Sequence, residues 1–344
     1  MEQRKRWLRQ CLEQIDDFSC QHSAVKHQKM ASTPFLFFRG SASLFYADIA
    51  QGQLKIPPPL LGIPLTCVVG DCHTSNFGFI TEEGSHGDKV VFTVNDFDDA
   101  CIGHAVWDLA RFITSLSLCA KHCQGLVSGK YASDKPVTGK PCVSSQQVAL
   151  AAQAFIQSYI DTCQSCISDA NMRYQALSEF PAGHILAKRY LKACARASEG
   201  DKFRRESTLA KAVEPQSLSL KFKIDADKFT PLPDNDYRQV KETFAPYVDD
   251  EILDIVMHIN AGTGSVNMSR YYLLVGPKEA DLSALALCHI VEVKQQRTAA
   301  PLHYFNGLSA INRLNPAHLT VNYQRRMQRS PDLVLDELAW RGQH

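Results

Sequence analysis

Apolar positions along the chain alternate between helical spacing and strand-like runs, and the changes mark its elements. Up to residue 52 the spacing is helical. MEQRKRWLRQCLEQIDDF is amphipathic, and a further helix starts after Ser32-Thr33-Pro34, where a capping residue precedes an early proline. Ile56-Pro57-Pro58-Pro59 breaks the helical run and feeds a strand from Leu65 to Val69. Two short apolar runs, Phe77 to Ile80 and Val90 to Val94, flank the turn-rich stretch TEEGSHGDK and predict a β-hairpin. Helical spacing returns from Ala105 to Leu118, from Ser145 to Ile167 and from Pro181 to Ala197, with an aperiodic surface loop over residues 124–146. The charged stretch Glu199 to Asp236 holds an extended LSLKFKID segment and a PLPDND turn. From Asp249, DDEILDIVMHIN reads as an acidic helix start, followed by a glycine-rich turn and strands over Tyr271 to Val275 and Leu285 to Val293.

Composition narrows the function classes. Lys and Arg total 37 against 36 Asp and Glu, so no net basic field argues for nucleic acid or an anionic membrane, and a small-molecule partner is expected. The N-terminal segment has early positive charge but no apolar core of a signal peptide, and no window reaches the roughly 18 apolar residues of a membrane span. Twelve cysteines without a secretory signal read as reduced thiols of a cytoplasmic protein. Cys163-Gln-Ser-Cys166 is a lone C-x-x-C in a helical pattern and reads as a helix face rather than a zinc site.

Candidate chemistry gathers at the hairpin. Asn76 stands just before its first strand and Asp96 just after its second. Antiparallel pairing centred on residue 86 sets them nearly opposite, at a Cα separation of about 4.5–5.5 Å. An amide oxygen and a carboxylate at that distance suit one hard cation such as Mg²⁺, which completes its shell with water and phosphate oxygens. Asp71 lies on the turn entering the hairpin and Asp98 on the turn leaving it. Arg39, set among Phe35, Phe37 and Phe38, reads as a packed, ion-paired residue rather than an anion ligand.

Gly70-Asp71-Cys72-His73-Thr74-Ser75-Asn76, then Asp96-Phe97-Asp98-Asp99, then Trp107-Asp108-Leu109-Ala110 resembles the catalytic loop and metal-binding segment of the aminoglycoside phosphotransferase and choline kinase group. The flanking text, Pro34-Phe35-Leu36-Phe37-Phe38-Arg39-Gly40 and Phe112-Ile113-Thr114-Ser115-Leu116, more specifically resembles an uncharacterised bacterial family known as domain of unknown function 2252. The kinase resemblance implies an ATP- and Mg²⁺-dependent phosphotransferase. Asp71 would be base or orienter of the acceptor hydroxyl, with His73 in the same catalytic loop, bracing it by a backbone hydrogen bond. Asn76, Asp96 and Asp98 would hold the metal, and Asp108 would anchor the loop through backbone N–H groups.

Ala261-Gly262-Thr263-Gly264-Ser265-Val266-Asn267, followed by strands with Lys294 at the end of the second, resembles a kinase nucleotide-clamping lobe, so Gly262, Gly264, Ser265 and Lys294 are the expected nucleotide contacts. That lobe follows the catalytic loop here instead of preceding it, and the resemblance implies that the tail from Pro316 supplies its last strand near Val321 to Arg325. The implied fold is α+β, protein-kinase-like, two-lobed and circularly permuted, with a helical large lobe over 1–248 and a small mixed lobe over 249–344. The partners are a nucleotide and a small hydroxylated acceptor. Protein phosphorylation or nucleotidyl (AMP) transfer would use the same site. Asp71-Cys72-His73 also has the D-x-H form of a metal-dependent phosphoesterase, although no GNH or GHxH run follows it.

Overall fold

The computed structural model describes residues 2–16, 25–83, 89–214, 219–259 and 268–344. It is an α+β protein divided into two compact units, Met1–Phe77, Asp96–Gln175 and Thr298–Tyr323 forming one and Gly78–Asn95, Ala176–Arg297 and Gln324–His344 the other.

The first unit begins with helices α1 (Glu2–Asp16), α2 (Val25–Ala31), α3 (Pro34–Gly40), α4 (Ala42–Ala50) and the single turn α5 (Pro58–Leu61). Thr33 caps α3 by accepting the Leu36 N–H at 3.2 Å, with Pro34 opening the helix. Strand β1 (Thr66–Val68) pairs antiparallel with β4 (Cys101–Gly103), Val68 opposite Cys101. The long helix α6 (Ala105–Val127) runs nine residues past the predicted Leu118 and buries Trp107, Arg111 and Ser115, four residues apart on one face. Trp107 packs between Tyr46 of α4 and Phe305 of α12 (Leu302–Phe305), with ring centroids 5.3 and 5.0 Å away. Helix α7 (Ser145–Ser168), opened by a Ser144–Gln147 capping box, packs Phe155 on Phe112 at 4.3 Å and carries Cys163 and Cys166. Asn312 stands in for a strand beside β4: its Oδ1 accepts the Ile102 N–H at 2.9 Å and its Nδ2 donates to the Ile102 carbonyl at 2.8 Å.

Strands β2 (Phe77–Thr81) and β3 (Val90–Val94) form the hairpin expected from the sequence. The second unit is built on a four-stranded antiparallel sheet, β5 (Phe229–Pro231), β6 (Glu251–His258), β7 (Arg270–Gly276) and β8 (His289–Lys294), in that order. Both faces are covered. Alternate residues of β7 divide between them: Tyr271, Leu273 and Val275 pack with Val240 and Phe244 of α11 (Asp234–Phe244), and Leu274 packs with Phe203, Leu209, Phe222 and Leu285. Helices α8 (Ala187–Cys194), α9 (Phe203–Glu206) and α10 (Thr208–Ala212) belong to the same unit.

Several expectations are corrected. DDEILDIVMHIN is strand β6, not a helix start. A bulge at Leu253 puts Ile252 and Ile255 in the same core cluster, so a strand imitates the three-residue recurrence of a helix. Val321–Arg325 lies inside helix α13 (Pro316–Met327), where Asn315 accepts the His318 N–H at 2.7 Å and Ala317, Thr320 and Val321 are buried at helical spacing. Residues 282–287 form a 3-10 segment capped by Asp281, so the strand expected from Leu285 starts at His289. Helix α8 is shorter than Pro181 to Ala197, and the PLPDND turn opens α11, with Asp234 and Asp236 in its first turn. The sheet also takes in β5, with α11 packed on β6, so its unit extends on both sides of residue 248. No helix among the described residues is long and apolar enough to cross a membrane.

Asn312→Ala is expected to strip a buried N–H and C=O of their partners and lower unfolding stability by about 1–3 kcal/mol, read from the midpoint of urea denaturation.

Candidate functional site

Beyond β1 the chain turns through Val69, Gly70 and Asp71 towards a 3-10 turn at Thr74–Asn76. Gly70 has φ +80°, and a Cβ on it would collide with the carbonyl oxygen of Asp99, so the close approach of these two segments requires glycine. Three side chains fix this loop. Asp108 accepts the N–H groups of Val69 and Gly70 at 2.7 and 3.0 Å, as the sequence led us to expect. Burial pushes its carboxyl up to about 6, against the pull of those two donors. The Tyr46 hydroxyl donates to the Gly70 carbonyl at 2.5 Å, and burial raises its phenol well above its ordinary value, keeping the proton that makes the bond. Ser115 Oγ accepts the Thr74 N–H at 3.0 Å.

Asp71 is clamped by a residue that the motif reading missed. Arg111, wholly buried on α6, donates from Nε to Asp71 Oδ1 at 2.7 Å and brings Nη2 to 2.5 Å of the same oxygen. Its Nη2 also donates to the Phe38 carbonyl at 2.8 Å, and its guanidinium lies 4.2 Å from the centre of the Phe38 ring. The signal was present: Arg111 follows Trp107-Asp108-Leu109-Ala110 directly and recurs four residues after Trp107, on the buried face of an otherwise apolar helical run.

His73 is 2% exposed. Its Nδ1 accepts the Ser75 N–H at 3.2 Å, which places the ring proton on Nε2, 3.6 Å from Asp71 Oδ2. Burial first, then the charges of Arg111 and Arg39, lower its pKa to about 3. The ring is therefore a neutral brace at physiological pH.

Asn76 donates from Nδ2 to the Asp71 carbonyl at 3.0 Å, so its amide oxygen is the end directed away from that bond. Asp96 Oδ1 accepts the Asp98 N–H at 3.3 Å, closing a tight turn that carries both carboxylates. Asp99 is buried and accepts the Ala300 N–H at 2.7 Å. The loop thus unites Asp71, His73 and Asn76, and the contact of Gly70 with Asp99 sets the 96–99 turn against it. The Glu82 N–H donates to the Lys89 carbonyl at 2.9 Å. That bond centres the hairpin between residues 85 and 86, which sets Asp96 one residue past the position directly across from Asn76.

The chain matches the family described as an uncharacterized protein conserved in bacteria (DUF2252) over residues 21–133 and 137–343, nearly its whole length. The chain belongs to this family. No curated protein and no solved structure matches it.

In this DUF2252 chain the remaining expected contacts are Lys294 and the glycine turn. Lys294 ends β8 in the second unit, in register with Arg270 of β7. Glu292, two residues earlier and so on the same side of β8, pairs with Arg270 at 3.1 Å. Gly262, Gly264 and Ser265 lie outside the described residues.

The pH dependence of His73 follows from its burial. The folded state resists protonating a ring that titrates near 6.5 when free, so its contribution is intact above about pH 6.5 and falls away as the pH drops towards 3. Between pH 7 and pH 5, His73→Gln is expected to lose less unfolding free energy than the wild type, measured by urea denaturation at the two values.

Proposed function

We propose that the protein is an ATP- and Mg²⁺-dependent phosphotransferase acting on a hydroxyl of a small metabolite, with a kinase-like two-lobed fold in circularly permuted order. The observation that carries this reading is the double restraint on Asp71, its carboxylate held by Arg111 and its carbonyl by Asn76. One carboxylate oxygen is committed to the guanidinium, and the other, with His73 Nε2 at 3.6 Å, is the one that would orient an acceptor hydroxyl. Phosphoryl transfer through a loose transition state needs such positioning more than strong basicity.

The donor set also fits a hard cation. Asn76 contributes an amide oxygen and Asp96 and Asp98 contribute carboxylates, all oxygen ligands of the kind Mg²⁺ takes. When bound, the ion would neutralise charge on the phosphates being transferred. Arg111 holds the Asp71 carboxylate in place, and buried His73 accepts the Ser75 N–H within the same loop. Lys294 and the glycine turn at Gly262 to Ser265 are the proposed nucleotide contacts. Their place after the catalytic loop in the chain is the basis for the permuted order. The phosphoesterase alternative would need His73 as a metal ligand, whereas its Nδ1 accepts the Ser75 N–H and its ring is buried.

Calorimetric titration of ATP with and without Mg²⁺ into wild type and Asp96→Ala tests the nucleotide site. Binding that requires Mg²⁺ in the wild type and loses that requirement in the variant is expected, and no binding in any condition refutes the reading. Asp71→Asn is expected to bind MgATP as the wild type does while turnover falls by about 10²–10⁴-fold, the scale of other lost catalytic groups. Unchanged turnover in a steady-state assay would remove Asp71 from the mechanism.

A further inference from the structure

Arg39 occupies an unusual position for a structural arginine. It ends α3, one residue after Phe38, whose carbonyl and ring are both engaged by Arg111, so the same helix end that supports the Asp71 clamp carries a second guanidinium. The two differ in their partners. Arg111 has the Asp71 carboxylate, whereas Arg39 has no carboxylate or hydrogen-bond acceptor among the described residues, and its Nε is buried without a partner. Its one aromatic contact, with Phe35 at 6.0 Å, lies at the outer limit of a cation–π interaction. The ion-paired role expected from the sequence is therefore not the one found.

Arg39 as a whole is half-buried, and a shielded N–H without an acceptor, as at its Nε, is costly to the fold. Its charge is felt locally: after burial, Arg39 contributes to lowering the pKa of both His73 and His122, so it stands close to the catalytic loop on one side and to the Thr33–His122 hydrogen bond on the other. Arg111 Nη1 is a further buried donor without a partner. The helix end and the loop thus present two guanidinium groups beside the carboxylate of Asp71, with Asp99 and Asp108 nearby, and each guanidinium keeps one buried N–H unmatched.

We propose that Arg39 binds an oxyanion, a phosphate or carboxylate group carried by the acceptor, and so selects anionic hydroxylated molecules for the site. This rests on the phosphotransferase reading. The planar fork of arginine matches a phosphate or carboxylate with two parallel hydrogen bonds, which a lysine cannot reproduce. Such an anchor would hold the acceptor while Asp71 orients its hydroxyl. The same oxyanion chemistry could be supplied by the nucleotide itself, and the experiment separates the two sources.

Inorganic phosphate and MgATP are titrated calorimetrically, separately, into wild type, Arg39→Gln, Arg39→Lys and Asp71→Asn, with the fold of each variant checked by circular dichroism. The proposal expects phosphate to bind the wild type, at least tenfold more weakly to Arg39→Gln, with Arg39→Lys intermediate and Asp71→Asn no weaker than wild type. MgATP affinity is expected to stay within twofold in both Arg39 variants. Phosphate binding that is absent from the wild type, or equal in wild type and the folded Arg39 variants, overturns the proposal. An equal loss of phosphate and MgATP affinity overturns it too, assigning Arg39 to the nucleotide. Arg39-dependent phosphate binding in a protein that never binds MgATP supports the anion site while refuting the phosphotransferase reading.

Discussion

The ion pair between Arg111 and Asp71 is the constraint on which the candidate site depends. Arg111 is wholly buried, so its charge has been taken out of water and must be matched inside the protein. It is matched by one carboxylate, from the loop at Asp71, and by one carbonyl and the face of an aromatic ring, both from Phe38 near the end of α3. Moving any of them exposes the others to the cost of an unmatched buried charge, on the order of 3–5 kcal/mol when one partner of such a pair is removed. Geometry at Asp71 is therefore protected by the stability of the unit as a whole. An exposed aspartate on a surface turn would have no comparable protection.

Around that pair, the loop backbone is held almost entirely by side chains. Asp108, Tyr46, Ser115 and Asn76 each take one or two of its polar groups, and Gly70 permits the turn to close against Asp99. Local hydrogen bonds of this kind replace the regular ladder that ends with β1, only three residues long. The loop is consequently rigid without being part of a helix or a sheet, which is what a positioning site requires.

Much of this was legible in the sequence because it was local. The hairpin, the start of α6 and the Thr33 cap follow from spacing within a few residues, while the anchoring role of Asp108, whose partners are Val69 and Gly70, was implied by the resemblance of its motif. What escaped depended on distant partners or on a broken period. The bulge at Leu253 gave β6 a helical recurrence, and Val321 to Arg325, expected as a strand from the kinase-lobe resemblance, was committed to α13 by the Asn315 cap and by burial at helical spacing. Arg111 lay outside the quoted motifs, although its place beside Trp107 and Ser115 on one stripe marked it as interior. Arg39 was read as ion-paired, and the missing partner was visible only in three dimensions.

The bonds that close the unit also span great lengths of chain. Asp99 reaches Ala300 across 201 residues and Ile102 reaches Asn312 across 210. Contacts of such separation carry a large loop-closure entropy and form late. On the ribosome, the loop bearing Asp71 is made first, yet its supporting strand β4 must wait for Asn312, 210 residues after Ile102, before its open edge is covered. The nascent chain therefore carries this edge unsatisfied while that intervening stretch is made, and the support of the candidate site is complete only once it has emerged.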